Sequence, residues 1–337
     1  MKDEVKMSGF HKFVFWCIVF ADLCAVACFF IFYGPFDFFR DWAIPASVST
    51  MKHSYLAYTF FDEEQINETT SKFKRDQKAG QSSDASLINF EKIDTSHGYS
   101  SVYEQQILEH EEGQDYKVIK LRDSKFTYWV TVIYDSTRIH MGMATRPAGN
   151  QIRNMGEMYG AKIAVNGGSF GRNWTTKAIY PDSTLILDGQ ILYDSGVEDS
   201  LIGFDKNGVL CLYHLTAQDA IDRGVDWALT FWPYLIVDGE RVNFEGESAT
   251  RSNRTAIGQR ADGIVIIITT DGRTLESVGA THQDLQNLFV RYNCVNAATL
   301  DGGGSTTLWV DGEVLNHTMG GGSTEGERFV YNCVYFK

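Results

Sequence analysis

Positive charge is scarce in this chain. Its 337 residues include 30 Lys and Arg against 43 Asp and Glu, for a net charge of -13. Phosphate backbones demand clustered bases, so nucleic acid is excluded as the main partner. A small phosphate-bearing substrate held by one or two local arginines is not. Cysteine is scarce as well. Of six, Cys17, Cys24 and Cys28 fall in one apolar run, which leaves Cys211, Cys294 and Cys333 at wide spacing. An odd, dispersed set is neither a disulfide framework nor a zinc pattern. Cys294 and Cys333 both sit in Tyr-Asn-Cys-Val, which allows a pair or two buried thiols. Also missing are a Gly-Lys-Ser/Thr phosphate loop, a His-Glu-x-x-His metal motif and a Gly-x-Ser-x-Gly nucleophile elbow.

What is present begins with a membrane-length run. Residues 13–33 read FVFWCIVFADLCAVACFFIFY, with Asp22 the one charge. Crossing the hydrocarbon layer takes about 20 mostly apolar residues, whereas a secretory signal's apolar region is nearer 7–15. The small-residue triplet Ala25-Val26-Ala27 lies inside the run, so an uncleaved anchor is the reading. Lys2, Lys6 and Lys12 precede it and Arg40 follows, which places residues 1–12 in the cytoplasm and the bulk of the chain outside. Residues 34–98 read as a stalk and polar linker, and 99–337 as the folded domain. The content of 44% hydrophobic and 13% aromatic residues suffices for a sizeable core.

Within that domain strands and helices alternate, which gives an α+β class: a central mixed sheet with flanking helices and hairpins. YWVTVIYD (128–135), RIHMGMA (138–144) and AKIAV (161–165) read as strands. Asn150 is a candidate cap for a helix running to Tyr159, with Ile152, Met155 and Tyr159 on one face. Asp188-Gly189, Asn207-Gly208 and Asp311-Gly312 punctuate hairpins. GIVIIITT (263–270) is continuous enough to be a strand buried on both faces. An amphipathic helix follows from Thr281, whose spacing to Asp284 resembles a capping box, and AATL (297–300) then delivers Asp301 to a strand end. A right-handed crossover predicts that these two strands run parallel, with ligands collecting beyond their carboxyl ends.

Asp301 is followed by Gly302, Gly303 and Gly304, then Ser305 and Thr306. Three glycines let the backbone approach a ligand and can turn successive N–H groups toward an anion. Asn166-Gly167-Gly168 ends another strand in the same way. Arg254 and Arg328 can each present a planar fork to phosphate or pair with a carboxylate, Glu327 being a structural partner on offer to Arg328. Asp301, Asn166 and glycine carbonyls are hard oxygen donors, so a divalent metal is possible, but no spacing requires a cofactor.

Four segments together resemble the phosphodiester glycosidase family: AVNGGSF (164–170), NRTAIGQ (253–259), LDGGGSTTLWVDGEVLN (300–316) and GERFVYNCVYF (326–336). The resemblance spans roughly 116–337. It implies hydrolysis of a sugar 1-phosphodiester at the glycosidic carbon, with a glycan or glycosyl phosphate as substrate. It also suggests a setting among cell-surface exopolysaccharides. Asp301 is then the key carboxylate, with Glu247 and Asp182 the contenders for a second. Asn166 would bind the sugar, Arg254, Arg328 and the Gly302, Gly303 and Gly304 amides would hold the phosphate, and Gly167, Gly168, Thr255, Ser305 and Asn316 would belong to the same substrate and phosphate site. Two rival readings use the same residues: a phosphodiesterase cutting the P–O bond, and a non-catalytic polysaccharide binding or assembly module. The Asn-x-Thr sequons at Asn67, Asn173, Asn253 and Asn316 read as chance occurrences.

Overall fold

The computed structural model describes residues 9–33, 44, 54–66, 82–173, 175–243, 250–320 and 326–337. The chain divides into two compact units, Met1–Gln77 and Lys78–Lys337. The first holds the helix Gly9–Tyr33, whose stretch Gly9–Phe30 is long and apolar enough to cross a membrane, at a mean hydropathy of 2.4. It also holds a small cluster of Ile44, Ala57, Phe61 and Ile66.

The second unit is α+β and is built on three large antiparallel sheets, with a further two-stranded one among the described residues. The largest has seven strands in the spatial order Tyr116–Arg122, Thr127–Ile133, Val265–Thr270, Arg254–Arg260, Cys294–Leu300, Tyr234–Val237 and Glu240–Arg241. Val265–Thr270 and Cys294–Leu300 do share a direction. They are not neighbours, however, because Arg254–Arg260 lies between them, antiparallel to both. The central sheet is therefore wholly antiparallel where the sequence suggested a mixed one. The crossover rule fixed the relative direction of the two strands but could not see a third strand inserted from earlier in the chain.

Alternation explains the continuous apolar run. Val265 and Ile267 face a core shared with the other two sheets, through Ile202, Phe204, Trp227, Val165 and Val334. Ile266 and Ile268 face the opposite side, where Leu285, Leu288 and Phe289 of the helix His282–Arg291 cover them. Each of these side chains, fully buried, contributes about 1.5–3 kcal/mol. That helix starts where expected: Thr281 and Asp284 form a complete capping box.

Local turn chemistry is equally plain. Asp188 and Gly189, with φ of 54° and 68°, join Leu185–Leu187 to Gln190–Tyr193, and Asp311 and Gly312 turn Leu308–Val310 into Glu313–Val314. The helix Ile152–Tyr159 starts later than its expected cap. Gln151 occupies the cap position, and Asn150 instead accepts the N–H groups of Thr145 and Arg146. Residues 82–90 belong with the domain rather than with a linker. Ser83 N–H donates to the Leu212 carbonyl, and Asn89 and Phe90 both donate to Ala261. Cys211, Cys294 and Cys333 are buried free thiols. Cys294 and Cys333 lie on different sheets, and burial pushes the Cys333 thiol up to about 12.

Candidate functional site

Two strand ends meet where the sequence places its glycine turns. Ile163–Asn166, the middle of the five-stranded sheet that also holds Asn332–Phe336, ends at Asn166. Cys294–Leu300 of the large sheet ends just before Asp301. The Asp301 N–H donates to the Gly167 carbonyl at 2.9 Å, and Asn166 Nδ2 donates back to the Asp301 carbonyl. Asn166 Oδ1 accepts the Thr255 hydroxyl (2.7 Å) and the Thr307 N–H (3.2 Å). A completely buried amide thus ties three segments together. Asn166 thereby braces the backbone of Asp301. Thr255, equally buried, is a member of the same knot. Asn316 accepts the Leu308 N–H and donates to the Thr306 carbonyl, which closes the loop after Asp301. Gly167 and Gly168 donate their N–H groups to the Asn332 carbonyl and to Asn332 Oδ1.

The glycine turn is also partly occupied by protein acceptors. Gly302 N–H donates to the Asp301 carboxylate (2.8 Å) and Gly303 N–H to the Asn253 carbonyl (2.8 Å). Only Gly304 among the three is without a protein acceptor for its N–H among the described residues, so the turn offers an anion one backbone donor rather than three. Two of the glycines have distinct reasons. Gly303 sits at φ 58°, the left-handed region. A Cβ on Gly304 would lie 2.9 Å from Arg328 Nη2, so the guanidinium packs on that backbone only because the side chain is missing.

Arg328 therefore reaches the site. Its Nη1 donates to Ser305 Oγ at 3.1 Å, and the fully buried Ser305 hydroxyl in turn hydrogen-bonds the Asp301 carboxylate. Glu327 is not its partner; that carboxylate is buried and paired with Arg153. Arg254 flanks the turn from the other side, its Cδ and Nη1 lying 3.6 and 3.8 Å from where a Gly302 Cβ would be. Its guanidinium donates to the carbonyls of Thr250 and Ala280. Arg251, by contrast, pairs with Asp284 at the helix start.

Electrostatics follow from this crowding. Burial lifts the Asp301 pKa above the ordinary carboxylate value. The Arg328 charge, the Ser305 hydroxyl and the Gly302 N–H oppose that rise, and the negative charge of Asp182 adds to it. Asp182 is held beside the crevice by Ser169 Oγ (3.0 Å) and Ser183 Oγ (2.8 Å). Glu247, the other contender, lies outside the described residues. Among the described residues no three His, Cys, Asp or Glu side chains are grouped to hold a metal ion.

Three site residues escaped the sequence reading. His282, buried at the start of its helix, sits within the field of Arg254. Burial and that charge hold its pKa well below the usual imidazole value, so the ring is neutral. Asn253 supplies the carbonyl for Gly303 and donates to the His317 carbonyl (3.1 Å). Asn332 braces Gly168. A lone histidine behind a capping threonine and two asparagines inside strand ends carry no spacing signal. Two of the sequon asparagines, Asn253 and Asn316, are buried, which leaves them no room for a glycan.

Known proteins resemble this chain. A family model described as phosphodiester glycosidase matches residues 159–337. The chain is 29% identical over 204 residues to the SPbeta prophage-derived uncharacterized protein YomE of Bacillus subtilis, an alignment covering 58% of this chain and 31% of that one. It is 25% identical over 177 residues to the mouse N-acetylglucosamine-1-phosphodiester alpha-N-acetylglucosaminidase, covering 47% of this chain and 33% of that one. It spans about a third of the length of the curated relatives it matches. The solved catalytic domain of the zebrafish N-acetylglucosamine-1-phosphodiester alpha-N-acetylglucosaminidase shares its fold, with a TM-score of 0.56 at 19% identity over 68% of this chain and 86% of that one. The matched region begins at Tyr159, so the strands Tyr116–Arg122 and Thr127–Ile133, which complete the large sheet, lie ahead of it. With Asp301 and both flanking arginines inside a match that covers more than half of its length, this chain belongs to the phosphodiester glycosidase family.

Proposed function

We propose that this protein hydrolyses the glycosidic carbon–oxygen bond of a sugar 1-phosphodiester, releasing free sugar and a phosphomonoester. One observation carries the reading: Asp301 opens a glycine turn that two guanidinium groups approach, Arg254 at Gly302 and Arg328 at Gly304. The transition state of glycoside cleavage gathers positive charge on the sugar ring, which an adjacent carboxylate stabilises or attacks. The leaving group is a phosphate ester and departs as an anion. Arg328, Arg254 and the Gly304 N–H are placed to hold that charge, which matters more here than protonating it. Asp182, held by the Ser169 and Ser183 hydroxyls, stands with Glu247 as a contender for the second carboxylate.

The N-terminal helix would act as an uncleaved anchor, with Lys2, Lys6 and Lys12 on the cytoplasmic side and the domain outside, facing surface glycans. The test is a screen of the full chain in detergent against glycosyl 1-phosphate diesters in water enriched in oxygen-18. Label in the released sugar supports cleavage at the glycosidic carbon. Label in the phosphate transfers the site to P–O chemistry, and affinity for glycans with no product on prolonged incubation leaves a binding module.

A further inference from the structure

The chain passes through Phe231-Trp232-Pro233 between the strands Val225–Thr230 and Tyr234–Val237. This short connection touches both halves of the site. At its start, the Thr230 carbonyl accepts the N–H of Ser169 (3.0 Å), the residue whose hydroxyl holds Asp182 (3.0 Å). At its end, the Pro233 carbonyl accepts the N–H (3.1 Å) and the hydroxyl (2.9 Å) of Thr299, two residues before Asp301. Tyr234 pairs with Ala298, and on the other edge of the same strand Thr255 pairs with Leu300. Asp301 therefore leaves its strand between two flanks of different chemistry. Arg254 opens one neighbouring strand, and Trp232 lies two residues before Tyr234, the first paired residue of the other.

The aromatic flank lies at the margin of the core, against which Phe231 packs. Trp227 and Tyr234, close by in sequence, are buried, whereas Phe231 and Trp232 are each partly exposed. Their rings stack on one another, with centroids 5.4 Å apart and planes 23° from parallel. A pyranose has the complementary surface: one face of ring C–H groups and a rim of hydroxyls. Sites for such ligands pair aromatic walls with a few polar groups. A phosphodiester of a sugar is a two-ended ligand, with an anion at one end and an apolar ring face at the other.

We infer that Phe231 and Trp232 form the sugar wall of the site, with Trp232 stacking on the glycosyl ring while the arginines take the phosphate. This places the anomeric carbon between the two flanks, over Asp301. The inference rests on the glycosidase reading and assigns the specificity-determining end of that site.

The experiment compares Trp232→Ala and Trp232→Phe in the full chain, with glucosyl and N-acetylglucosaminyl 1-phosphate methyl diesters as probes. Removing the indole face predicts a KM raised about tenfold in Trp232→Ala. It also predicts a kcat within about threefold of the parent, the acid limb of the pH profile in place, and most of the affinity restored by Trp232→Phe. Unchanged KM in both variants overturns the wall, as does a loss that Trp232→Phe fails to rescue while its melting temperature matches the parent. If the parent protein turns over neither diester, the reaction reading fails by itself. The wall is then judged by saturation-transfer NMR on the free monosaccharides. Saturation transfer to the sugar ring protons that vanishes in Trp232→Ala upholds it, and transfer equal to the parent's overturns it.

Discussion

Asn166 holds the backbone of Asp301, not its carboxylate: the amide nitrogen donates to the Asp301 carbonyl while the amide oxygen is shared by Thr255 and Thr307. The catalytic carboxylate of the proposed reaction is thereby aimed by a residue 135 positions earlier in the chain, across the junction of two sheets. The side-chain carboxylate is held separately, by Gly302 and Ser305.

Replacing Asn166 by Ala strands a buried hydroxyl, a buried N–H and a carbonyl together. Each buried group left unsatisfied costs about 1–3 kcal/mol, so a total loss of about 2–4 kcal/mol is expected after partial relaxation, read as a lowered denaturation midpoint. A carboxylate displaced by even 1 Å costs about 100-fold in rate. The expected kinetic signature is a fall in kcat with little change in KM. A raised KM at constant kcat would return Asn166 to substrate binding.

Asp301→Asn is expected to keep the fold and lose turnover by roughly 10³-fold or more, as removal of a central catalytic group does. Its stability also changes with pH in a definite sense. The native pKa of Asp301 lies above the unfolded value of about 3.9. Native protein thus holds the proton where unfolded chain has lost it. The stabilisation is complete below about pH 3.9 and is lost as pH rises through the native pKa. Melting temperatures of the parent and Asp301→Asn, compared from pH 3.5 upward, should show that decline in the parent and its absence in the variant.

The same pKa places the acid limb of the activity profile. Arg328 lowers it and Asp182 raises it. Arg328→Gln should therefore shift the limb to higher pH while cutting kcat/KM by about 10²–10³ through loss of a phosphate donor. Asp182→Asn should shift the limb to lower pH. Opposite shifts in the two variants are the signature of one titrating carboxylate between them, and shifts of the same sign would assign the limb to another group.

What the sequence made legible was local. Asp188-Gly189 and Asp311-Gly312 need positive φ, and Thr281 with Asp284 closes a capping box within one turn, so each announces itself in a few residues. The run at 263–270 is apolar throughout because Val265 and Ile267 meet one core and Ile266 and Ile268 another. The strand Arg254–Arg260 was not legible as an insertion between two later strands, because pairing over such separations leaves no local trace. Asp301 was marked by the three glycines that follow it, and Arg254 and Arg328 by residue type. Asn166, Thr255 and Asn316 were also marked, but their hydrogen-bond partners were not legible, since a side-chain amide or hydroxyl shows its partner only once the sheets are assembled. His282 carried no mark at all, and Asn332 none beyond its place in the segment 326–336.

Glu327 provides the last test, because it reaches the site through Arg328 without touching it chemically. Its carboxylate is buried and accepts both the guanidinium and the backbone N–H of Arg153 (3.3 Å for the latter). Arg153 lies in the first turn of the helix Ile152–Tyr159, whose own cap residue, Gln151, contributes no side-chain bond. Glu327 thus caps that helix from a distant segment, where an anion is favoured by the helix dipole and by the free N–H groups. Breaking a fully buried pair costs about 3–5 kcal/mol. Arg153 retains 31% side-chain exposure, so Glu327→Ala should fall below that range, at about 2–3 kcal/mol. Glu327→Gln keeps an acceptor for the N–H and should lose about half as much. Because Arg328 is the next residue, both variants should lower kcat/KM for a phosphodiester by more than their stability loss explains, measured well below the melting temperature. Arg153→Ala should reproduce the effect. Catalysis unchanged in all three would show that Arg328 is fixed by Gly304 and Ser305 alone.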